Sequence, residues 1–262
     1  MLKWTCRPMV EDNVSQQAAQ DQPTEEEHHF FSHLLLDDHV WAWRFSLILW
    51  AIALSLFAAV AIPPIRDVVF AFDDWFYDAT YPIKAGTLTR VARFLSFVGS
   101  GVFVWPFRAI ITAILVSKRR WQAVAAWVLA ILVSEPFIGL LKWAYGRARP
   151  PVALVESASA SFPSGHAISG AVMAVGLVIA FVPAGPARRN LEIVAAGFAL
   201  FMSASRVYLG AHFLSDVVAG VAFGSAVAIG AAVAVHRFYL RRFIGEREEA
   251  LRAIQARRAA GA

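Results

Sequence analysis

The sequence is poor in cysteine and in charge. Cys6 stands alone, so an internal disulfide framework is excluded. It also lacks the preceding apolar stretch that a lipoprotein signal needs. Charged residues make up only 16% of the chain, against about 25% in ordinary soluble domains. The first apolar run begins near Phe45, too far from Met1 for a cleaved signal peptide, so that run is read as a retained span. No internal repeat or low-complexity tract stands out beyond a richness in alanine.

What fills the space is apolar. Hydrophobic residues make up 58% of the 262 positions, and the mean hydropathy is +0.56. They sit in runs of about twenty residues, the length that crosses a bilayer core. The fold class expected is all-α: a polytopic membrane protein with six transmembrane helices in a bundle. The spans are placed near 45–64, 94–116, 122–143, 164–183, 191–209 and 213–236. Pro63 and Pro64 end the first. Residues 65–93 form the longest connection, and their aromatics suit a belt at the membrane surface.

Three segments are expected: 1–44 as a partly disordered N-terminal piece, 45–236 as the six-span domain, and 237–262 as a basic helical tail. Within the first, 29–43 mixes aromatics with charge and reads as an interfacial lead-in helix.

The net charge is +5, but the basic residues cluster at span ends. Membrane orientation explains them better than nucleic acid does, so no nucleic-acid partner is expected. Lys118, Arg119 and Arg120, then Arg188 and Arg189, then the C-terminal arginines lie on one side if all six spans cross. That side is expected to be the cytoplasm, with both termini inside and the opposite ends facing outward.

Polar residues gather at those opposite ends. Lys142 closes the third span, with Arg147 and Arg149 beyond it. Ser164, Gly165 and His166 open the fourth, Ser205 and Arg206 close the fifth, and His212 and Asp216 open the sixth. Ionisable residues next to membrane spans are costly and mark function. Lys142, Arg149 and Arg206 place three cations at one depth, which calls for a multivalent anion such as phosphate. The Ser164–Gly165 step precedes a helix, so its backbone N–H groups can point at that anion.

His212 and Asp216 are four apart on an expected helix and share a face. A carboxylate beside an imidazole fixes its tautomer and stabilises its cation. His166, from another span, can act as general acid. Singly, each residue has a plain structural explanation, as a snorkelling anchor, a helix cap or a buried hydrogen bond. Their convergence on one face does not.

His166, His212 and Asp216 could supply three metal ligands, but three neighbouring cations disfavour a divalent ion, and no metal or other cofactor is expected. His28, His29 and His33 are read as incidental. Glu135 lies inside the third span, near the face of Lys142, where it either pairs with a cation or is protonated. It is given no catalytic role.

These residues carry a family resemblance. KWAYGRARP at 142–150, PSGH at 163–166 and SRVYLGAHFLSD at 205–216 follow one another in order and at characteristic spacing. The set resembles the three-part signature of the type 2 phosphatidic acid phosphatase family, which also includes vanadium haloperoxidases. It spans about the last two-thirds of the chain. The resemblance implies that His212 attacks phosphorus with Asp216 in support, that His166 protonates the leaving oxygen, and that Lys142, Arg149, Ser164, Gly165 and Arg206 hold the phosphoryl oxygens.

The implied function is hydrolysis of a lipid phosphate or diphosphate at the extracytoplasmic face of a bacterial inner membrane, through a phosphohistidine and without metal. Undecaprenyl diphosphate is the first substrate expectation, and phosphatidic acid or phosphatidylglycerol phosphate the second. A vanadate-dependent haloperoxidase and a non-catalytic lipid phosphate transporter are the readings from other classes. Arg147 adds a cation that could serve a second phosphate, but it is read as a surface residue.

Overall fold

The computed structural model describes residues 39–81, 86–156, 158–183 and 185–260. The N-terminal tail, the first ten residues of the lead-in segment and the three early histidines lie outside that range. The described residues are helical, with no strand among them. The helices are α1 (His39–Ala61), α2 (Pro63–Thr80), α3 (Gly86–Val98), α4 (Gly101–Ser117), α5 (Trp121–Tyr145), α6 (Gly165–Phe181), α7 (Pro186–Tyr208) and α8 (Leu214–Ala260).

Four of these are long and apolar enough to cross a bilayer: the main parts of α1, α5, α7 and α8. A fifth crossing exists if α3 and α4 together count as one, although they meet at a 52° bend. Helix α6 is apolar but only 17 residues long. This is the architecture of a multi-pass membrane protein. Large apolar side chains such as Ile48, Leu54, Ile110, Leu132, Ile193 and Leu200 stay exposed on its outer surface, where lipid would solvate them.

Helix α8 is the centre of the bundle and packs on α1, α5, α6 and α7. Small residues let it do so. Between membrane helices no water is expelled, so association relies on close packing across small side chains. Gly220 and Gly224 stand four apart on α8. A Cβ at Gly220 would come within 2.9 Å of the Ser164 carbonyl oxygen, and one at Gly224 within 2.5 Å of that of Ile168. The two glycines thus let α8 lie directly against the start of α6. Ser46 on α1 donates to the Ala226 carbonyl of α8 at 3.0 Å and pins the first helix to the same axis.

Three differences from the sequence expectation bear on the site. The long connection after the first span is mostly helix: the two prolines that end α1 open α2, at the positions where a missing N–H costs nothing. Helix α2 buries Asp73 and Tyr77 and exposes Val68, Phe72 and Trp75. Its inner side thus carries Asp73 and Tyr77 beside Val69, Phe70 and Phe76, while Asp67, Asp74 and Asp78 share the exposed side with those apolar residues.

The span placed at 94–116 is broken at Gly99–Ser100, where the chain passes the ring of His166. A Cβ at Gly99 would sit 2.7 Å from His166 Cδ2. Finally, the basic tail is continuous with the sixth span. Helix α8 runs for 47 residues, about 70 Å at 1.5 Å per residue.

Candidate active site

The expected site residues come together at one end of the bundle, delivered by four helix ends and two turns. Helix α5 stops one turn after Lys142. Gly146 takes the left-handed conformation, with φ of 54°, and its N–H caps the Lys142 carbonyl at 3.1 Å. The chain then reverses into the segment 147–163. Helix α7 ends similarly, and Gly210, with φ of 67°, turns the chain towards His212. A Cβ at Gly210 would lie 2.3 Å from the Val152 carbonyl, so the two turns can meet only through a glycine.

Lys142 donates from Nζ to the Ala160 carbonyl at 2.5 Å and to Ser159 Oγ at 3.2 Å. Arg149 donates from Nε to the Ser159 carbonyl at 2.7 Å and from Nη1 to the Ala211 carbonyl at 2.5 Å. One short stretch of backbone therefore holds two of the three cations. Arg206 is 3% exposed. Its Nη1 donates to the Ser96 hydroxyl on α3 in a short contact, and its Nε is buried without a hydrogen-bond acceptor among the described residues.

His212 is 2% exposed and Asp216 fully buried. Imidazole Nδ1 lies 3.3 Å from Asp216 Oδ2. A carboxylate accepts, so Nδ1 carries the proton and the Nε2 lone pair is free. Arg149 Nη1 lies 3.3 Å from that Nε2. Burial pushes the His212 pKa down to about 4, against the pull of Asp216 and with that of Arg149 and Arg206. The imidazole is therefore neutral at pH 7. Burial also lowers the pKa of Arg149 from its ordinary value.

The expectation that His212 and Asp216 share a helical face needs correction. Helix α8 begins at Leu214, so His212 precedes it. The pair meets across the helix start, where Asp216 Oδ2 also accepts from the Phe213 N–H at 2.9 Å.

Ser164 caps α6, accepting from the Ala167 N–H at 3.4 Å. Its own N–H donates to the Asp216 carbonyl at 3.0 Å. The expectation that this N–H points at an anion is therefore corrected: it ties α6 to α8. Gly165 sits beside the lysine, its Cβ position 3.9 Å from Lys142 Cε. His166 Nε2 donates to the Ser96 carbonyl at 3.1 Å, which leaves Nδ1 as the nitrogen that can take up and release a second proton.

Arg147 is not a surface residue. It is 7% exposed, and its guanidinium joins two carboxylates: Nη1 to Asp216 Oδ1 at 2.7 Å and Nη2 to Asp73 Oδ2 at 2.8 Å. Both acids satisfy it from within the protein, so it does not wait for a second phosphate. Glu135 pairs with a cation, Arg108 Nη1, at 2.5 Å, and accepts from the Ser169 hydroxyl at 3.1 Å.

Sequence reasoning missed Asp73, Ser96, Ser159, Ser161 and Ser215. Ser161 donates to Asp216 Oδ2 in a short contact. Its one available signal was its place three residues before Ser164.

Several known proteins resemble this chain. The family model of the PAP2 superfamily matches residues 123–240. Phosphatidylglycerophosphatase B of Bacillus subtilis is 29% identical over 181 residues, covering 66% of this chain and 88% of that protein. A decaprenylphosphoryl-5-phosphoribose phosphatase of Mycobacterium tuberculosis is 32% identical over 151 residues, 53% of this chain and 76% of its own. The crystal structure of a transmembrane PAP2-type phosphatidylglycerolphosphate phosphatase from Bacillus subtilis superposes with a TM-score of 0.62 at 28% identity, covering 71% of this chain and 93% of that one. The chain belongs to the PAP2 superfamily, as a membrane phosphatase.

Proposed function

We propose that the protein hydrolyses the phosphate monoester of a membrane lipid, with His212 as nucleophile. The observation that carries this is the orientation of one ring: His212 gives Nδ1 to Asp216 and turns Nε2 towards Arg149. The Nε2 lone pair attacks phosphorus, the bond to the lipid oxygen breaks, and His166 supplies the proton that oxygen needs. Water then attacks the phosphohistidine, returns a proton to His166 and releases inorganic phosphate. Lys142, Arg149, Arg206 and the Gly165 N–H at the start of α6 hold the phosphoryl oxygens. The buried Arg206 Nε without a protein acceptor suits an anion oxygen.

The site favours a monoester over a diphosphate. Arg147, the one extra cation in the motif, is held by Asp73 and Asp216, which leaves cations for a single phosphoryl group. Phosphatidylglycerol phosphate is therefore placed first, and the relatives' names point to phosphates on lipid carriers. Undecaprenyl diphosphate becomes the second reading. Purified protein should release phosphate fastest from phosphatidylglycerol phosphate in a panel with phosphatidic acid and undecaprenyl diphosphate. Faster release from the diphosphate would reverse that order, and full activity in His212→Ala would end the mechanism.

The proposed topology has six crossings within 45–236, counting α3–α4 as one and α6 as another. Both termini and the basic tail 237–262 lie in the cytoplasm, and the site opens outward from the inner membrane. Ala158 is exposed on the segment beside the site. With Cys6 replaced, a cysteine at position 158 should react with an impermeant thiol reagent in intact cells. Labelling only after lysis would invert the topology.

A further inference from the structure

Asp73 belongs to none of the three motifs, and it lies well before the residues that match the family. Yet it is among the most deeply buried acids in the protein, 1% exposed. Helix α2 brings it to the rear of the site. There its Oδ1 accepts from the Ser215 N–H at 3.0 Å, and its Oδ2 accepts from the Ser215 hydroxyl at 2.5 Å and from Arg147 Nη2 at 2.8 Å. Arg147 also donates to Ser215 Oγ at 2.8 Å. Two rings enclose the guanidinium, Phe70 at 3.9 Å and Phe213 at 4.3 Å from ring centre to Cζ. Phe70 comes from the same helix as Asp73. The guanidinium is thereby shielded from water and fixed in its plane.

Charge is what makes this arrangement informative. Asp216 must support the positive charge that grows on His212 as it attacks. A guanidinium 2.7 Å from Asp216, with no other partner, would cancel most of that support. Asp73 takes the other edge of the same guanidinium. The buried group Asp73–Arg147–Asp216 then carries one net negative charge, and His212 is its neighbour. A lone carboxylate in its place would be costly to bury, whereas one sharing a clamped cation is not.

We infer that Asp73 is a positioning residue for the phosphatase reaction, acting through Arg147 to keep Asp216 both fixed and charged behind His212. The inference rests on the role proposed for His212. Asp73 touches neither the nucleophile nor the phosphoryl site, so its contribution falls on the chemical step and not on substrate binding.

The groups that face His212 and Asp216 are Arg147, Arg149 and Ser161 from the segment after α5, Lys142 from α5, His166 from α6, Arg206 from α7 and Asp73 from α2. Two variants separate the charge behind His212 from the clamp that holds it: one cancels that charge, and the other restores it without the clamp. Asp73→Asn removes a negative charge and retains a side-chain acceptor. The double variant Asp73→Asn/Arg147→Met then also removes the cation, so that Asp216 does not face a second buried carboxylate alone.

Both are compared with wild type and His212→Ala in full-length detergent-solubilised protein. Phosphatidylglycerol phosphate is the substrate, and folding is checked by thermal melting and elution volume. In Asp73→Asn, kcat should fall roughly ten- to a hundredfold, with KM within about threefold. The acid limb of its rate profile should move to lower pH, because the imidazolium has lost support. In the double variant, where Asp216 alone again carries one negative charge, the limb should return towards its wild-type position while kcat stays low, because Asp216 is no longer clamped.

Folded variants with wild-type kcat and unmoved limbs would overturn the inference. So would a double-variant limb that stays at the Asp73→Asn position, or a loss confined to KM. An unfolded Asp73→Asn beside a folded double variant with wild-type kcat would also count against it, by reducing Asp73 to a structural anchor. An inactive wild type, or an active His212→Ala, would remove the functional reading and the inference together.

Discussion

Gly99 lies under the imidazole of His166, and the gap between them is too small for a methyl group. A Cβ at Gly99 would stand 2.7 Å from His166 Cδ2, inside the contact distance of two carbons. The bend between α3 and α4 is thus fitted to a ring on α6. Gly99→Ala should displace that ring and lower kcat by roughly tenfold, with a smaller effect on KM, because misplacement of a reacting group costs rate first. Steady-state kinetics on phosphatidylglycerol phosphate give the answer. Unchanged kcat would mean that the His166 ring can shift without loss.

His212→Ala should lower phosphate release by at least about three orders of magnitude, since loss of a nucleophile removes the covalent route altogether. Asp216→Asn should cost about as much, because an amide can favour the wrong imidazole tautomer. Rapid quench with labelled substrate should trap an acid-labile phosphoprotein in the wild type and none in His212→Ala.

The downward shift of His212 has a direction that can be tested. Nucleophilic attack needs the neutral ring. With its pKa pushed down to about 4, the ring stays neutral as pH falls from 7 and is protonated only near pH 4. After correction for the second phosphate ionisation of the substrate, kcat/KM should therefore hold to about pH 5 and fall below it. A limb at the ordinary histidine value of 6.5 would contradict the burial. Stability follows the same sign. The unfolded ring takes up its proton first, so the folded state should lose stability as pH falls from 6.5 towards 4.

Activity should persist in EDTA. In the proposed mechanism Lys142, Arg149 and Arg206 neutralise the phosphoryl oxygens, as a divalent metal would elsewhere. Loss of activity on chelation, restored by zinc or magnesium, would overturn that account. Loss of Arg206 or Arg149 should cost on the order of 3 kcal/mol in transition-state stabilisation, read from kcat/KM.

Close packing of α8 on α6 gives a paired stability prediction. Gly224→Ala should cost about 1–3 kcal/mol, because its Cβ meets the Ile168 backbone. Gly139→Ala meets nothing within 4 Å and should be neutral or slightly stabilising. Thermal melting in detergent distinguishes them. Equal behaviour would mean that the two backbones can separate freely.

Much of the site was legible because its parts fall at span ends, where a charge has few ordinary reasons to be. Lys142, Arg149, Arg206, His166, His212 and Asp216 each interrupt an apolar pattern. Arg147 was misread because its partners are invisible at short range: Asp73 is 74 residues away in the chain. Asp73 itself was hidden among similar residues. On α2 the acids Asp67, Asp74 and Asp78 are exposed, and nothing local in the sequence marks the one that is buried. The break at Gly99–Ser100 left no mark in hydropathy, because its cause is a ring from another helix. The meeting of His212 and Asp216 was foreseen, but its route was not, since a four-residue interval fits a helix start as well as a helix face.

Asp73 and Ser96 also bear on where this enzyme begins. The segment that the family model matches starts at residue 123, after the helices that carry both. A fragment cut at that border would keep every motif. It would lose the second carboxylate of Arg147, the hydroxyl that receives Arg206 and the carbonyl that orients His166. The inherited signature and the working catalyst are therefore units of different size. Any transplant, truncation or chimera of this phosphatase has to be drawn around the larger one.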